Sequence, residues 1–294
     1  MISAKIIKDS IAPNGKRITT FELEYPRFIH AEFMTHKMVS KNSSSSRAAP
    51  LKSSLEHVKN NMAIPIHWGK QQSGMQAQEE LTGWRRTWAE RLWKWSGRCV
   101  ALFVWAFMKL GLHKQVANRI LEPWTHIKVV ATATNWDNFF HLRRHPDAQP
   151  ELHHLAGLMY NEFIQSHPTT LVTDEWHLPY IEQTFVSTGD STGKIRYFIL
   201  DENCNREYLS LEEAQKISAS LCAQVSYRKS DQSLAKAMKI YQKLVESKPV
   251  HASPFEHQAT PMEEATAISG NLRGWFQLRF TIPDHVCLDY QPTQ

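Results

Sequence analysis

The sequence predicts one α+β domain in which a mixed or antiparallel sheet is flanked by helices. Near the N-terminus apolar and polar residues alternate with the period of a β-strand, and further along several stretches repeat apolar residues at the period of an α-helix. No repeat of roughly 20 to 50 residues and no low-complexity linker interrupts the chain. With 294 residues, 42% of them hydrophobic, the chain can bury a core of its own.

Two strands joined by a tight turn are predicted first. Residues 1–12 alternate loosely, and Ile18–Tyr25 alternates more clearly before Pro26 ends it. Between them Pro13-Asn14-Gly15 is a turn signal of the kind that closes β-hairpins. A helix is then predicted over Phe28–Val39, because apolar residues return at a helical period.

The remaining elements follow from the same two periods. After a serine-rich loop we expect a short helix over residues 51–62, opened by Ser53 or Ser54. The later elements are helices over 75–121, 152–163, 211–225 and 233–245, a hairpin over 186–200 that turns at Thr188-Gly189-Asp190, and a closing strand over 274–282.

The helical stretch 75–121 is rich in tryptophan and arginine. Its apolar residues fall on one helical face, which is formed by Trp84, Trp88, Leu92, Trp95 and Cys99. Two interpretations fit this pattern. The face belongs to a core or a subunit interface, with cations packed over the indoles, or the aromatic and basic side chains stack on nucleobases.

The composition narrows the class of partner. A formal net charge of +5, with 15 histidines in addition, suits an anionic small molecule, but the chain lacks the dense basic stripe of a dedicated DNA-binding protein. The four cysteines form no Cys-x-x-Cys pair and no metal-binding spacing. The longest apolar run, Cys99–Met108, is far shorter than the about 20 residues of a membrane span. We therefore expect a cytoplasmic protein with reduced thiols, without a bound metal, a signal peptide or a membrane partner.

The stretch Thr35–Arg47 combines the groups that bind an anionic phosphate. Its serines, a histidine and an asparagine stand among three cations, Lys37, Lys41 and Arg47. Hydroxyls, backbone N–H groups and positive side chains are the donors that phosphate oxygens accept. A solvated polar loop is the alternative, because serine runs usually form loops.

Two later segments also concentrate polar and charged residues. In Asn138–Leu152 the pair Arg143 and Arg144 lies between histidines, and a charged helix face is the structural alternative there. In Ser253-Pro254-Phe255-Glu256-His257 the serine and the glutamate three residues later form the pattern of a capping box, with proline at the first helical position.

These three segments resemble the flavin-dependent thymidylate synthases. The first segment of that family reads Arg-His-Arg-x-x-Ser-x-Asn-x-x-Ser-x-Arg, and the third reads Ser-Pro-Phe-Glu-His, as residues 253–257 do. The matching positions of the first segment are His36, Ser40, Asn42, Ser45 and Arg47, with lysine for arginine at Lys37. The second segment of the family combines Asn-Phe-x-x-Leu-Arg with Ala-Gln-x-Glu-Ile, and its matches here are Asn138, Phe139, Leu142, Arg143, Ala148, Gln149, Glu151 and, for isoleucine, Leu152.

The resemblance implies a fold like that of this family, FAD as cofactor, and a homotetramer with sites between subunits. It also implies that FAD takes hydride from NADPH, that methylene-tetrahydrofolate gives a one-carbon unit, and that a pyrimidine deoxynucleotide such as dUMP receives it at C5. The implied flavin contacts are His36, Lys37, Asn42, His141, Arg143 and His257. The implied substrate contacts are Glu32, Ser44, Ser45, Ser46 and Arg47, and the implied catalytic group that polarises the base is His153 or Arg144.

Several positions depart from the family pattern. Glu32 stands where the family has a glutamine that contacts the nucleotide, and His153 stands where it has an arginine. The first arginine of the family is Thr35 here, its glutamate is Ser43 and its tyrosine is Ala48. Because the changes at Glu32 and Ser43 would move hydrogen-bond acceptors around the base, a cytosine nucleotide or a hydroxymethylated or otherwise modified product, as in phage DNA modification, is an alternative. A nucleotide- or nucleic-acid-binding protein without catalysis is a second one.

The order of the segments differs from that of the family. There, Ser-Pro-Phe-Glu-His and an Ala-Arg-Val-Ser-Tyr segment precede the first segment, whereas here Ala223-Gln224-Val225-Ser226-Tyr227 and Ser253–His257 follow it. We therefore predict a circularly permuted, divergent and phage-like member, with a permuted segment over 211–282. The tryptophan-rich stretch 75–121 lies outside the resemblance and is predicted to be a helical insert.

Overall fold

A long antiparallel hairpin begins the fold, and most of the later elements pack around it. The computed structural model describes residues 1–187, 193–201, 203–226 and 234–289. Its strands are β1 Ser3–Ile11, β2 Arg17–Pro26, β3 Ser40–Ser43, β4 His126–Ala133, β5 Thr169–Thr170, β6 Glu182–Ser187, β7 Gly193–Leu200, β8 Arg206–Leu209, β9 Ala259–Pro261, β10 Ile268–Ser269, β11 Leu272–Arg273 and β12 Trp275–Gln277. Its α-helices are α1 His30–Met34, α2 Leu51–Asn60, α3 Gly83–Lys109, α4 Lys114–Ala117, α5 Asp137–Arg143, α6 Pro150–Gln165, α7 Leu211–Ala223 and α8 Leu234–Glu246.

The main sheet has five strands in the order β3-β4-β2-β1-β5. All of its neighbours are antiparallel except β1 and β5, which are parallel, so the sheet is mixed. The register places Phe21 opposite Ala131 and Thr20 opposite Thr132, and Thr132 is also opposite Ser40. Because side chains alternate along a strand, these pairs give the sheet one apolar face and one polar face.

The apolar face forms the largest core of the chain. Side chains of β2 and β4 pack there against α5 and α6, and Phe21, Phe139 and Leu155 are fully or almost fully buried. Helix α6 begins at Pro150, where proline is favoured, and the Gln149 side chain accepts a hydrogen bond from the Leu152 N–H.

The C-terminal half covers the polar face. A 3₁₀ turn, Gln224–Ser226, follows α7 and contacts β3 and β4, and Cys222 and Val225 pack on Val130. Beyond it, α7 and α8 form a second core with the three-stranded sheet β6-β7-β8 and with the 3₁₀ turn Ser253–Glu256. The polar side chains of the main sheet are therefore enclosed between two apolar layers.

Asp9 on β1 joins the hairpin to α6. Its carboxylate accepts hydrogen bonds from Arg17 Nε at 2.9 Å and Nη2 at 2.6 Å, from the Thr19 hydroxyl at 2.9 Å and from the Ser166 hydroxyl at 2.6 Å. The Arg17 guanidinium also lies 3.8 Å above the ring centre of Phe163. The hydrogen-bonding capacity of this buried carboxylate is therefore filled, and removing it would leave the partly buried Arg17 cation without its carboxylate partner.

We expect Asp9→Ala to lower the free energy of unfolding by about 3 kcal/mol, because the Arg17 cation and two hydroxyls lose their acceptor. Urea unfolding followed by circular dichroism measures the change. The double variant Asp9→Ala with Arg17→Met removes the stranded charge and is expected to recover part of the loss. A single variant as stable as the parent would contradict this account.

The structure confirms the α+β class and most of the predicted elements. The hairpin, α6, α7 and α8 form where the periods predicted them. The predicted turn Thr188-Gly189-Asp190 and Tyr227, the last residue of the segment that begins at Ala223, lie outside the described residues.

Other predicted boundaries were wrong. The helix predicted over Phe28–Val39 ends at Met34, because the Thr35 hydroxyl and N–H both bond to the Glu32 carbonyl and the chain turns toward β3. Part of the predicted serine loop, Ser40–Ser43, is a strand paired with β4. Helix α2 begins at Leu51, as the predicted range 51–62 does, but neither Ser53 nor Ser54 caps it and it ends at Asn60.

The helix predicted over 75–121 and the strand predicted over 274–282 are each shorter than expected. Only Gly83–Lys109 forms the long helix, and the 3₁₀ turn Asn118–Trp124 replaces its predicted end. The strand ends at Gln277 and continues as a 3₁₀ turn, Leu278–Thr281. Among the described residues no helix is both long and apolar enough to cross a bilayer.

Candidate functional site

The first two motif segments meet at the end of α5. Arg143 Nε donates a hydrogen bond to His36 Nε2 at 2.8 Å, and Arg143 Nη2 lies 3.4 Å from the Thr35 hydroxyl. The ring of Phe139 stands edge-on to the ring of His36, with 4.9 Å between the ring centres. Burial, followed by the charges of Arg143 and Lys41, lowers the pKa of His36 to about 4. His36 is therefore neutral at pH 7, and its Nε2 lone pair accepts from Arg143, which leaves the proton on Nδ1.

A cleft of about 370 Å³ opens beside this contact, and we call it the arginine cleft. Three cations line it, namely Lys37, Arg143 and Arg273 from β11. Phe139 and Val39 supply apolar surface at its wall. A cleft with cations and an aromatic wall suits a ligand that combines a flat ring with anionic groups.

The third motif segment lies against β3 on the other side of the first segment. The 3₁₀ turn Ser253–Glu256 contacts β3, and the Gln277 side-chain amide reaches both the Glu256 carbonyl at 3.2 Å and the Ser40 hydroxyl at 3.4 Å. Arg279 pairs with the Glu256 carboxylate. All three segments therefore come together within one chain, although more than 200 residues separate the first from the third.

The predicted capping box of the third segment was wrong. Ala252 precedes the turn, and no side chain caps it, because the Glu256 side chain is directed to Arg279 instead. A capping box forms at the start of α7, where Ser210 and Glu213 bond to each other's backbone N–H groups.

His257 ends a chain of buried hydrogen bonds across the polar face of the sheet. Its Nδ1 lies 2.8 Å from the Thr132 hydroxyl, which lies 2.7 Å from the Thr20 hydroxyl, and Thr20 lies 2.8 Å from His177 Nε2. The Ser10 hydroxyl completes the chain at 2.9 Å from His177 Nδ1. Burial lowers the pKa of His257 to about 3 and that of His177 well below its usual range, so both imidazoles are neutral.

Two polar atoms near these segments are buried without a hydrogen-bond partner in the described parts of the chain. They are His257 Nε2 and the Asn42 side-chain oxygen on β3. Buried polar atoms are nearly always hydrogen-bonded in folded proteins. Both atoms therefore have capacity for a ligand or a water molecule.

A second cleft, of about 200 Å³, surrounds the end of the first segment, and we call it the serine cleft. Ser44, Ser45 and Ser46 line it together with Arg27, which follows β2 directly. Arg27 Nη2 donates to the Ser44 carbonyl at 3.0 Å, whereas its buried Nε has no partner among the described residues. Burial lowers the pKa of this guanidinium. A half-buried arginine with a free donor is a strong anion ligand.

The serine cleft also contains the start of α2. Ser53 and Ser54 lie in the first turn of this helix, and its preceding residue, Pro50, provides no side-chain cap. Asn118 holds the serine turn by donating to the Ser46 carbonyl at 2.8 Å. Uncapped N–H groups and the helix dipole add to the positive potential that Arg27 creates.

A third cleft, of about 660 Å³, is lined by three carboxylates, those of Glu32, Asp147 and Glu151, and we call it the glutamate cleft. Glu32 Oε2 is buried without a partner among the described residues, whereas Glu151 accepts from the Ile66 N–H at 2.8 Å and from Gln149. Arg143 lines this cleft as well as the arginine cleft. The two clefts are therefore neighbours on either side of one guanidinium.

The remaining predicted site residues lie outside these three clefts. Arg144 stacks on Tyr160, with 3.7 Å from its guanidinium carbon to the ring centre, and His141 and Arg47 are exposed. His153 is exposed in the first turn of α6, with Nδ1 3.1 Å from the His145 carbonyl, and lines a further cleft beside His67. Among the described residues no group of three His, Cys, Asp or Glu side chains could hold a metal ion.

Sequence reasoning missed Arg27 as a site residue. It lies outside the motif, eight positions before Thr35, and no local pattern distinguishes it from any arginine that follows a strand. Its position after β2 was the available signal, because that strand ends beside the serine turn.

Comparisons with known proteins find one matching family and several similar solved structures. The profile of a family described as thymidylate synthase complementing protein matches residues 17–169. A UMP/dUMP methylase, PolB from Streptomyces cacaoi bound with 5-Br dUMP, is 13% identical with a TM-score of 0.46, over 56% of this chain and 90% of that one. The flavin dependent thymidylate synthase ThyX from Helicobacter pylori, complexed with FAD and dUMP, is 14% identical with a TM-score of 0.37, over 50% of this chain and 67% of that one. None of the curated protein sequences matches the chain.

Proposed function

Because the chain belongs to the thymidylate synthase complementing protein family, we propose that it is a flavin-dependent enzyme that methylates a pyrimidine deoxynucleotide at C5. The reaction proposed is the conversion of dUMP to dTMP with methylene-tetrahydrofolate and NADPH, by a cytoplasmic homotetramer. The observation that carries the proposal is the contact of Arg143 with His36 between two clefts, with the third segment packed behind β3.

The residues of the arginine cleft fit FAD. Lys37, Arg143 and Arg273 offer positive charge for its pyrophosphate, and Phe139 offers an edge for its ring system. The buried Asn42 oxygen on β3 and His257 Nε2, directly after the turn Ser253–Glu256, have unused hydrogen-bonding capacity. A bound flavin would supply the hydride that reduces the transferred carbon to a methyl group.

The serine cleft is proposed to hold the nucleotide phosphate. Ser44, Ser45 and Ser46 supply hydroxyls or N–H groups, and Arg27 supplies the charge that the sequence assigned to Arg47 alone. The cleft is small, which suits one phosphate rather than a whole nucleotide. Base and sugar would then extend toward the neighbouring segments.

Glu32 is proposed to accept a hydrogen bond from the base. Its free oxygen lies in the glutamate cleft, which Arg143 separates from the arginine cleft. A carboxylate accepts from the N3–H of uracil or from the amino group of cytosine, so dCMP or a hydroxymethylated product remains an alternative. The polarising group for the base is proposed to be His153 or Arg144, with His153 the one that lines a cleft.

The permuted order of the segments is also part of the proposal. It is supported by the turn Ser253–Glu256 and the turn Gln224–Ser226, which both contact β3 although they lie far along the chain. The same segments can surround one site whether they lie in the C-terminal half of a chain, as here, or at its beginning.

The first test is whether the purified protein carries flavin. We expect it to bind FAD, to lose the flavin absorbance when NADPH is added, and, with methylene-tetrahydrofolate also present, to convert dUMP or dCMP to a product heavier by one methylene unit in mass spectrometry. A product heavier by one methylene and one oxygen would identify the hydroxymethyl alternative. A colourless protein that binds no FAD would contradict the proposal.

We expect Arg143→Met to weaken FAD binding by about tenfold to a hundredfold, the usual range for one hydrogen-bonded charge. The change also frees His36 Nε2, so the flavin spectrum is expected to shift in whatever fraction still binds. Equilibrium titration with FAD measures the affinity. Arg196→Met is the control for loss of an arginine charge, because Arg196 lies on β7 over the ring of Tyr208 and lines neither the arginine cleft nor the glutamate cleft. Equal FAD affinities of the two variants would remove Arg143 from the flavin site.

A further inference from the structure

Helix α3 has two apolar faces, and its own chain covers only one of them. On the inner face Gly97 and Val104 are buried, and Trp93 donates from its indole N–H to the Ala63 carbonyl at 2.9 Å. A side chain at Gly97 would collide with Met62 and Trp124, which shows how closely this face is packed. The helix is thus anchored without any use of its outer face.

The outer face is a stripe of large apolar side chains in contact with solvent, and we call it the tryptophan face. Its members Trp84, Trp88, Leu92, Trp95, Leu102 and Phe103 are 53–70% exposed. The first four belong to the stripe that the sequence predicted as a core, an interface or a base-stacking surface. The core interpretation is wrong for this chain, because these side chains point away from it.

Cations border the tryptophan face along its length. Arg85 lies over the ring of Trp84 at 5.7 Å and Arg91 over that of Trp88 at 5.6 Å, and Arg98 is exposed between them and Lys109. Residues 83–109 contain one acidic side chain, Glu90, and Arg86 binds it at 3.3 Å. The face is therefore apolar at its centre and positively charged at its edges.

We propose that the tryptophan face binds an anionic lipid surface, with α3 lying in the plane of the membrane interface. Its 27 residues extend about 40 Å at the helical rise, which suits a helix that lies on a membrane. Tryptophan is favoured at this depth because its ring is apolar and its N–H is polar, and the bordering arginines reach lipid phosphates. This proposal goes beyond the enzymatic one and replaces the expectation of no membrane partner.

Charge distinguishes lipid from the other possible occupants. A second copy of α3 would bring cationic borders together, and the single glutamate of each copy is already bound. A nucleic acid would satisfy the arginines and stack on the aromatic rings, but it has no aliphatic partner for Leu92 and Leu102. Lipid acyl chains can pack against all of the apolar side chains of the face, and the lipid phosphates can pair with the bordering cations.

The test is co-sedimentation of the full-length protein with vesicles. We expect binding to vesicles that contain phosphatidylglycerol, a blue shift of tryptophan fluorescence on binding, and little binding to vesicles of phosphatidylcholine alone. Salt should weaken the binding, because each cation near an anionic surface contributes about fivefold in affinity. Failure to bind the anionic vesicles would overturn the proposal.

Two double variants test the apolar side chains and the bordering cations of the tryptophan face separately. Trp88→Ser with Trp95→Ser removes apolar anchors, and Arg91→Glu with Arg98→Glu reverses two border charges; each is expected to lower vesicle binding at least tenfold. Lys239→Glu with Lys243→Glu on α8 is the charge-matched control and should retain most of the binding. Light scattering and DNA titration are run on the same proteins. A parent that dimerises or binds DNA through these residues, but does not bind vesicles, would assign the face to that partner instead.

Discussion

Replacing Arg27 by alanine is expected to weaken binding of a pyrimidine deoxynucleoside monophosphate by about a hundredfold. Arg27 is half-buried beside Ser44, its buried Nε donor has no partner among the described residues, and burial lowers the pKa of its guanidinium. A phosphate in the serine cleft would replace the hydrogen bonds to water that the Arg27 guanidinium loses on burial. A charge-assisted hydrogen bond of this kind contributes about 3 kcal/mol, which corresponds to the expected change in affinity.

The measurement compares nucleotide with nucleoside. Isothermal titration of the Arg27→Ala protein with dUMP should show the loss, whereas deoxyuridine, which lacks the phosphate, should bind the variant and the parent almost equally. Arg27→Lys keeps the charge but not the fork of donors and should recover part of the affinity. An equal loss for dUMP and deoxyuridine would mean that Arg27 only holds the Ser44 turn in place.

Arg47→Ala in the same titration compares the two arginines. The family motif assigns the phosphate to Arg47, whereas in this chain Arg47 is exposed and does not line the serine cleft. A larger loss for Arg27→Ala than for Arg47→Ala is expected if the single chain forms the phosphate site. The reverse order would indicate that Arg47 reaches a phosphate held by a neighbouring subunit.

Elements with one strong period could be predicted from the sequence. Helices α6, α7 and α8 each bury one apolar face, so the period of their apolar residues predicts which side of the helix is packed. The sequence of strand β3 has no such period, because Ser40, Lys41 and Asn42 are all polar and do not alternate with apolar residues. It is a strand only because β4, already held by β2, offers its other edge.

The candidate site also contains some residues that the sequence could identify and others that it could not. The motif could identify His36, Asn42 and Arg143, because their types and spacing survive in the sequence. It could not identify Arg27 or Arg273, which line the clefts from the ends of β2 and β11 and lie outside all three motif segments. Nor could it show that Arg144 faces Tyr160 while Arg143 faces His36, since that depends on how α5 is rotated against α6.

The two fully buried histidines are expected to make the protein lose stability as the pH falls below about 6.5. Their folded-state pKa values are lower than that of an unfolded histidine, about 3 for His257 and well below 6.5 for His177. The unfolded chain therefore takes up protons that the native chain cannot, and the stability present above pH 6.5 is lost on acidification toward pH 3. Each histidine contributes about 1.4 kcal/mol per pH unit in this window, or roughly 2.7 for both.

His257→Asn tests this origin without relying on absolute stabilities. Asparagine can still bond to the Thr132 hydroxyl, as His257 Nδ1 does at 2.8 Å, but it does not titrate. Urea unfolding without added ligand at several pH values between 7.5 and 5 should show, at the acid end of this range, a slope of stability against pH that is smaller by about 1.4 kcal/mol per pH unit. His154→Asn, at an exposed position of α6, should leave the slope unchanged. If both variants keep the slope of the parent, then another set of groups accounts for the acid sensitivity, and the hydrogen-bond chain from Ser10 to His257 does not hold two neutral imidazoles.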